Sequence, residues 1–126
     1  MSCHVDVWLR GSEAATTKAI EGITHQPAAW DDDDVKLLLE GMLRAMHELK
    51  HPAEKNPPVV LRGLSWIVNP YDEGGVVIAI EITMGAAVAG PFDIDKAALE
   101  AMITRVLRQQ VARVQRRHVA EDGVGG

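Results

Sequence analysis

The fold is decided by one stretch near the middle of the chain, Gly74-Gly75-Val76-Val77-Ile78-Ala79-Ile80-Glu81-Ile82-Thr83-Met84-Gly85. Apolar side chains recur in it at every second position, which places them on one face of a β-strand. These residues are Val76, Ile78, Ile80, Ile82 and Met84. The side chains between them point to the other face. The stretch therefore predicts the central strand of a small sheet whose apolar face is covered by helices.

Two other segments have strand patterns. Residues 4–10 alternate between apolar and mostly polar side chains, and residues 59–68 carry apolar side chains on both faces. The intervening residues 69–75 are rich in Asn, Pro, Asp and Gly, which favours an antiparallel hairpin between residues 59–68 and the central strand. We assign the central strand to residues 76–86, and residues 85–91 fit either its continuation after a bend or a loop of small residues.

Two long amphipathic helices are predicted, at residues 31–51 and 95–118. Asp31 is the N-cap of the first helix, and three more aspartates occupy its first turn, where the helix dipole stabilises carboxylates. Trp30 and Val35 have the spacing of a hydrophobic staple. The apolar stripe of the first helix consists of Val35, Leu38, Leu39, Met42, Leu43, Met46 and Leu49. The stripe of the second consists of Leu99, Met102, Ile103, Val106, Leu107, Val111 and Val114.

Together these elements predict an α+β fold. It has a small, mainly antiparallel three-stranded sheet, with strands near 4–10, 59–68 and 76–86, and the two long helices pack on one face of it. A weaker helix is expected at residues 13–22, with Ser12 as its N-cap. The sequence leaves open whether strand 4–10 pairs with the hairpin or with another copy of the protein.

Composition sets limits on the class of protein. The chain has 126 residues, of which 47% are hydrophobic and 25% charged, so we assign residues 1–119 to a single domain and residues 120–126 to a disordered tail. A net charge of −5 disfavours nucleic acid as a partner. The lone cysteine, Cys3, suits a reducing compartment. The first residues lack the pattern of a secretory signal, and no apolar run reaches the roughly 20 residues of a membrane helix. We therefore expect a cytoplasmic protein without membrane contact.

One motif carries chemistry: residues 47–51 read His-Glu-Leu-Lys-His, the pattern H-E-x-x-H. On a helix, His47 and His51 lie one turn apart and can bind one Zn²⁺, while Glu48 can accept a proton from a metal-bound water. In these five residues the chain resembles the active helix of zinc-dependent metallopeptidases. The resemblance implies a zinc-dependent hydrolase with Glu48 as its catalytic base.

The alternative is that both histidines are exposed residues that match the dipole at a helix C-terminus. Lys50 places a positive charge between the two expected ligands, and Pro52 follows His51 directly. The candidates for a third ligand are His25, Glu54, Asp72 and His118, and none of them has diagnostic spacing. We favour this interpretation, and under it the protein has no cofactor.

Two clusters of like charge are candidate binding surfaces. The second helix carries a basic surface made up of Arg105, Arg108, Arg113, Arg116 and Arg117. Such a surface can contact nucleic acid or an acidic partner, although arginines near a helix C-terminus also match the dipole. The four aspartates at residues 31–34 are explained by capping and the dipole rather than by calcium binding, because no calcium loop surrounds them.

The favoured function follows from the strand that is apolar on both faces. If helices cover only one face of the sheet, the other is a self-association surface. The expected interface residues are Trp66, Val59, Val77 and Ala79. We therefore predict a non-catalytic protein that forms a homo-oligomer or a subunit of a larger assembly, with the zinc-dependent hydrolase as the alternative.

Overall fold

The computed structural model describes the backbone of residues 3–124 and the side chains of residues 3–110. Five strands and two long helices follow one another along the chain, with a short 3-10 turn at Pro27–Ala29. In chain order the elements are β1 (Cys3–Leu9), β2 (Thr16–Ile20), α1 (Asp32–Lys50), β3 (Ser65–Pro70), β4 (Val76–Ile82), β5 (Gly85–Phe92) and α2 (Lys96–Val124). Within the described residues, neither helix is long and apolar enough to cross a membrane.

The strands form one antiparallel sheet in the order β2-β1-β5-β4-β3. The predicted α+β class is confirmed, but the expected number of three strands is wrong. The segment predicted as a weak helix at residues 13–22 contains β2, which pairs with β1. Residues 85–91, left undecided, belong to a separate strand, β5, which lies between β1 and β4.

The predicted alternation of the central strand is confirmed for residues 76–80. The predicted range 76–86 is wrong, because β4 ends at Ile82 and a turn at residues 83–84 leads into β5. Val76, Ile78 and Ile80 of β4 are buried, while Val77 and Ala79 between them are only half-buried. The hairpin from β3 to β4 is also as predicted. The strand expected at residues 59–68 is shorter, because β3 begins at Ser65.

The helices cover one face of this sheet. Asp31 caps α1 with a complete capping box, in which its side chain accepts from the Asp34 N–H at 3.0 Å and its own N–H donates to the Asp34 carboxylate at 3.1 Å. At the start of α2, the Asp95 side chain accepts a single capping hydrogen bond from the Ala98 N–H at 3.0 Å. Helix α1 contacts β1, β2 and β5, whereas α2 contacts α1 and β3. The predicted packing of two helices on one face is therefore confirmed.

The core lies between the sheet and the helices. Trp30 packs edge-on against Phe92, with ring centroids 4.8 Å apart. Of the stripe predicted for α2, Leu99, Met102, Ile103 and Val106 are buried. The side chains of Val111 and Val114 lie outside the described residues. Because α2 continues to Val124, it enters the segment 120–126 that we expected to be a tail, and the division into domain and tail stays a prediction.

Candidate interaction surface

Among the described residues, no helix covers the second face of the sheet, and apolar side chains occupy the centre of that face. Ala79 of β4 has Val88 of β5 directly opposite it on one side and Ile67 of β3 on the other. Ile67 is 52% exposed, the second largest exposure among the large apolar side chains of residues 3–110. We call this surface the open face. Its apolar centre consists of Trp8, Ile67, Val77, Ala79, Ala86 and Val88.

Acidic side chains border the apolar centre. Asp6 on β1 and Glu81 on β4 are both exposed and lie on the open face. The Thr17 hydroxyl donates a hydrogen bond of 2.6 Å to the Asp6 carboxylate. The nearby cation, Arg10, donates from Nε to the Thr83 carbonyl at 2.9 Å, which ties it to the turn between β4 and β5. The border therefore presents two carboxylates and one cation held in place.

The structure separates the four predicted interface residues. Val77 and Ala79 lie on the open face, as expected. Trp66 pairs with Ile80, whose side chain faces the helices, so Trp66 is half-buried against the core instead. Val59 precedes β3 and is also half-buried against the core. Whether any of them contacts a partner stays a prediction.

Four residues of the open face were missed by sequence reasoning. Ile67 and Trp8 alternate with buried neighbours, so their position could have been found once the register of β3 and β1 was known. Ala86 and Val88 belong to β5, whose small residues give no clear strand pattern. Only the pairing of β5 with β1 and β4 shows that these two side chains share the open face.

The H-E-x-x-H motif lies at the end of α1. His47 and Glu48 are in its last turn, and His51 is the C-cap residue. The His51 N–H donates to the His47 carbonyl at 2.8 Å, so the two histidines are one turn apart. His51 itself has left the helical conformation, with φ −127° and ψ 73°. Pro52 follows it directly, and a residue before proline is pushed out of the α region.

The first two side chains of the motif line different cavities. His47 lines a cavity with Val59, Arg62 and Thr83, whereas Glu48 lines a different groove between α1 and β2. Within residues 3–110, no three His, Cys, Asp or Glu side chains lie close enough together to hold a metal ion. The described part of the chain thus supplies no third ligand.

His118, one candidate for a third ligand, lies outside the described side chains. Zinc binding by the motif therefore stays a prediction.

The basic surface of α2 is described only in part. Arg105 forms a two-pronged ion pair with Asp32, with its Nε and Nη2 donating to the carboxylate at 2.9 to 3.2 Å. The hydrogen bond from Arg105 holds the pKa of the Asp32 carboxyl below its usual value. Arg105 therefore ties α2 to the start of α1, and Arg108 is exposed. The side chains of Arg113, Arg116 and Arg117 lie outside the described residues.

A histidine–aspartate pair lies in front of α1. Nδ1 of His25 is 2.9 Å from the buried Asp34 carboxylate. That hydrogen bond, with the negative charge of Asp34, raises the pKa of His25. Burial pushes the pKa of Asp34 up, but hydrogen bonds from the Asp31 N–H and from His25 outweigh it, so the pKa is lowered. Because the Trp30 indole donates to the His25 carbonyl at 3.0 Å, the pair fixes the loop before the helix.

Comparison of the chain with protein-family models, with curated proteins and with solved structures finds no match. The fold and the surfaces described above therefore provide the evidence for a function.

Proposed function

We propose that the protein is non-catalytic and acts by association, as a homo-oligomer or as a subunit of a larger assembly, with the open face as its contact surface. The single observation that carries the proposal is that both helices pack on the same face of the sheet. The opposite face then exposes an apolar row made up of Val88, Ala79 and Ile67. Exposed contiguous apolar patches on a sheet are typical of protein contacts.

The size of the open face indicates what kind of contact it supports. Five strands spaced about 4.8 Å apart, each five or six residues long, give a projected area of about 400 Å². A stable interface buries about 800 Å² on each partner. The open face of one copy alone therefore supports a weak contact, and a tighter one needs more surface.

The charges of the open face indicate what kind of partner it fits. Asp6 and Glu81 flank an apolar centre, and the whole chain has a net charge of −5. An apolar surface bordered by basic side chains complements this arrangement, since opposite charges steer association and like charges oppose it. This supports a role as one subunit among others.

The experiment is a measurement of mass in solution by sedimentation velocity across a range of protein concentrations. We expect the wild-type protein to associate as concentration rises, and Ile67→Glu to weaken the contact by placing a charge in the apolar row. Val60→Glu is the matched control, because Val60 is 58% exposed and lies before β3, away from the open face. A wild-type protein that stays monomeric at high micromolar concentration and retains no partner in a pull-down would contradict the proposal.

A further inference from the structure

In the part of the chain that the structure describes, the β2 edge of the sheet has no neighbouring strand and lies beside a groove. β2 is the outermost strand, and alternate residues of an edge strand direct their N–H and C=O groups away from the sheet. A groove of about 450 Å³ runs between β2 and α1. Its lining includes the last three residues of β2, from Lys18 to Ile20, the following Glu21, and the exposed side chain of Leu37 on α1.

The groove is as long as a strand. Its α1 side extends from Leu37 to Glu48, and a helix rises about 1.5 Å per residue, so it is about 16 Å long. A five-residue strand such as β2 spans about 17 Å. Gly41 lies in the middle of this side, where a Cβ atom would come within 2.6 Å of the Ile20 side chain. The helix therefore lies close to β2, and both elements line the groove.

The charges of the groove are balanced. Lys18 and Arg44 supply two cations, and Glu21 and Glu48 supply two anions. Two copies of an acidic protein repel each other overall. A surface with equal numbers of positive and negative side chains can nevertheless contact the same surface of a second copy without net electrostatic repulsion. Leu37 adds a large apolar side chain that is 44% exposed. These features fit a second copy of the same surface.

We propose that two copies of the chain pair through β2, antiparallel and edge to edge, with the α1 side of each groove covering the added strand. The inference rests on the proposed function and deepens it, because it assigns self-association to this edge. The sheet then becomes continuous over ten strands, and the two open faces form one platform of about 800 Å², the area that a stable interface needs. In the expected register, Ala19 of one chain lies opposite Ala19 of the other. This register keeps the two Lys18 side chains from lying directly opposite each other.

The test compares variants on the two surfaces by sedimentation velocity. We expect wild type to form a dimer of twice the monomer mass that associates further as concentration rises. Leu37→Glu should lose the dimer, whereas Ile67→Glu should keep the dimer and lose only the further association through the open face. Because Leu37 is partly exposed, circular dichroism should show that Leu37→Glu remains folded. A wild-type protein that is monomeric throughout, or a Leu37→Glu variant that keeps the dimer mass, overturns the inference.

The two proposals fail in different ways. If Ile67→Glu dissociates the protein and Leu37→Glu does not, the edge assignment is wrong and the open face stands. If only Leu37→Glu matters and the open face binds nothing, the proposed function is wrong and the edge stands.

A second measurement does not depend on Leu37. Opposed residues of antiparallel strands have Cα atoms about 4.5 to 5.5 Å apart, within reach of a disulfide. We expect Ala19→Cys to form a disulfide-linked dimer under mild oxidation, and the exposed control Ala53→Cys not to. Equal cross-linking of the two variants overturns the proposed register and pairing.

Discussion

Covering of the sheet on one face only can be tested by comparing two isoleucines on opposite faces. Ile80 of β4 faces the helices and is 1% exposed, whereas Ile67 of β3 lies on the open face and is 52% exposed. Each lies on a regular part of the hairpin between β3 and β4. Ile80→Ala and Ile67→Ala remove the same three carbon atoms, so the two substitutions differ in surroundings and not in chemistry.

The structure gives the size of the expected difference. Truncation of a fully buried isoleucine removes its burial and leaves a cavity, so Ile80→Ala should lower the free energy of unfolding by about 3 to 4 kcal/mol. For a chain of this length that corresponds to a fall in Tm of about 10 to 20 °C. Ile67 loses only about half of its surface on folding and leaves no closed cavity, so Ile67→Ala should cost about 1 kcal/mol.

The assay is urea unfolding followed by circular dichroism, at a protein concentration low enough to keep the chain monomeric. The slope of the free energy against urea should be the same for both variants, so that the midpoints report stability alone. If the two substitutions cost the same at the lowest concentration, the open face is packed within a single copy. The argument for one-sided covering would then be wrong.

Three further outcomes follow from individual contacts. The hydrogen bond to Asp34 raises the pKa of His25, so the protonated His25 stabilises the fold. This stabilisation is fully present below the ordinary histidine pKa of about 6.5 and is lost as pH rises through the raised pKa. Unfolding midpoints measured between about pH 5 and pH 8 should show this loss of stability, and His25→Gln should abolish this pH dependence. Arg105→Ala breaks the exposed ion pair with Asp32, so it should destabilise far less than Ile80→Ala, and thermal melts in high salt should show no difference from wild type. Elemental analysis of protein purified without chelator should find no stoichiometric zinc, and zinc that His47→Ala removes would revive the hydrolase hypothesis.

The sequence was sufficient for elements whose own residues carry a strong local pattern. The alternation in β4, the acidic N-caps and the stripe of α1 all appear in the structure where they were predicted. A single local signal was enough at each of these places. The antiparallel hairpin was found for the same reason, since residues 69–75 have turn chemistry between two apolar runs.

The missed strands are held by pairing with distant parts of the chain. β2 has three exposed residues and no apolar alternation, so only its ladder with β1 makes it a strand. β5 is built from small residues, and Gly85 is needed where a Cβ would run into the Trp8 carbonyl oxygen. Local propensity does not report such contacts. The sequence predicted an open face if helices cover only one side of the sheet. Which residues lie on that face depended on the pairing of these two strands.

The position of Trp66 shows how register decides a site. Its neighbours in sequence, Ser65 and Ile67, are exposed, and one residue of shift would have exchanged all three between faces. The sequence gives apolar residues on both sides of this strand and so does not choose between them. Pairing of Trp66 with Ile80 makes the choice.

The most direct test of the open face as a contact surface is the rate at which a thiol reagent labels Ala79→Cys. The native Cys3 contributes little background, because it is buried and burial raises the pKa of its thiol. We predict rapid labelling of Ala79→Cys in dilute protein and progressive protection as concentration rises or a partner is added, with Ala53→Cys labelled at one rate throughout. Slow labelling in dilute protein, or a rate for Ala79→Cys that never changes, would contradict the account.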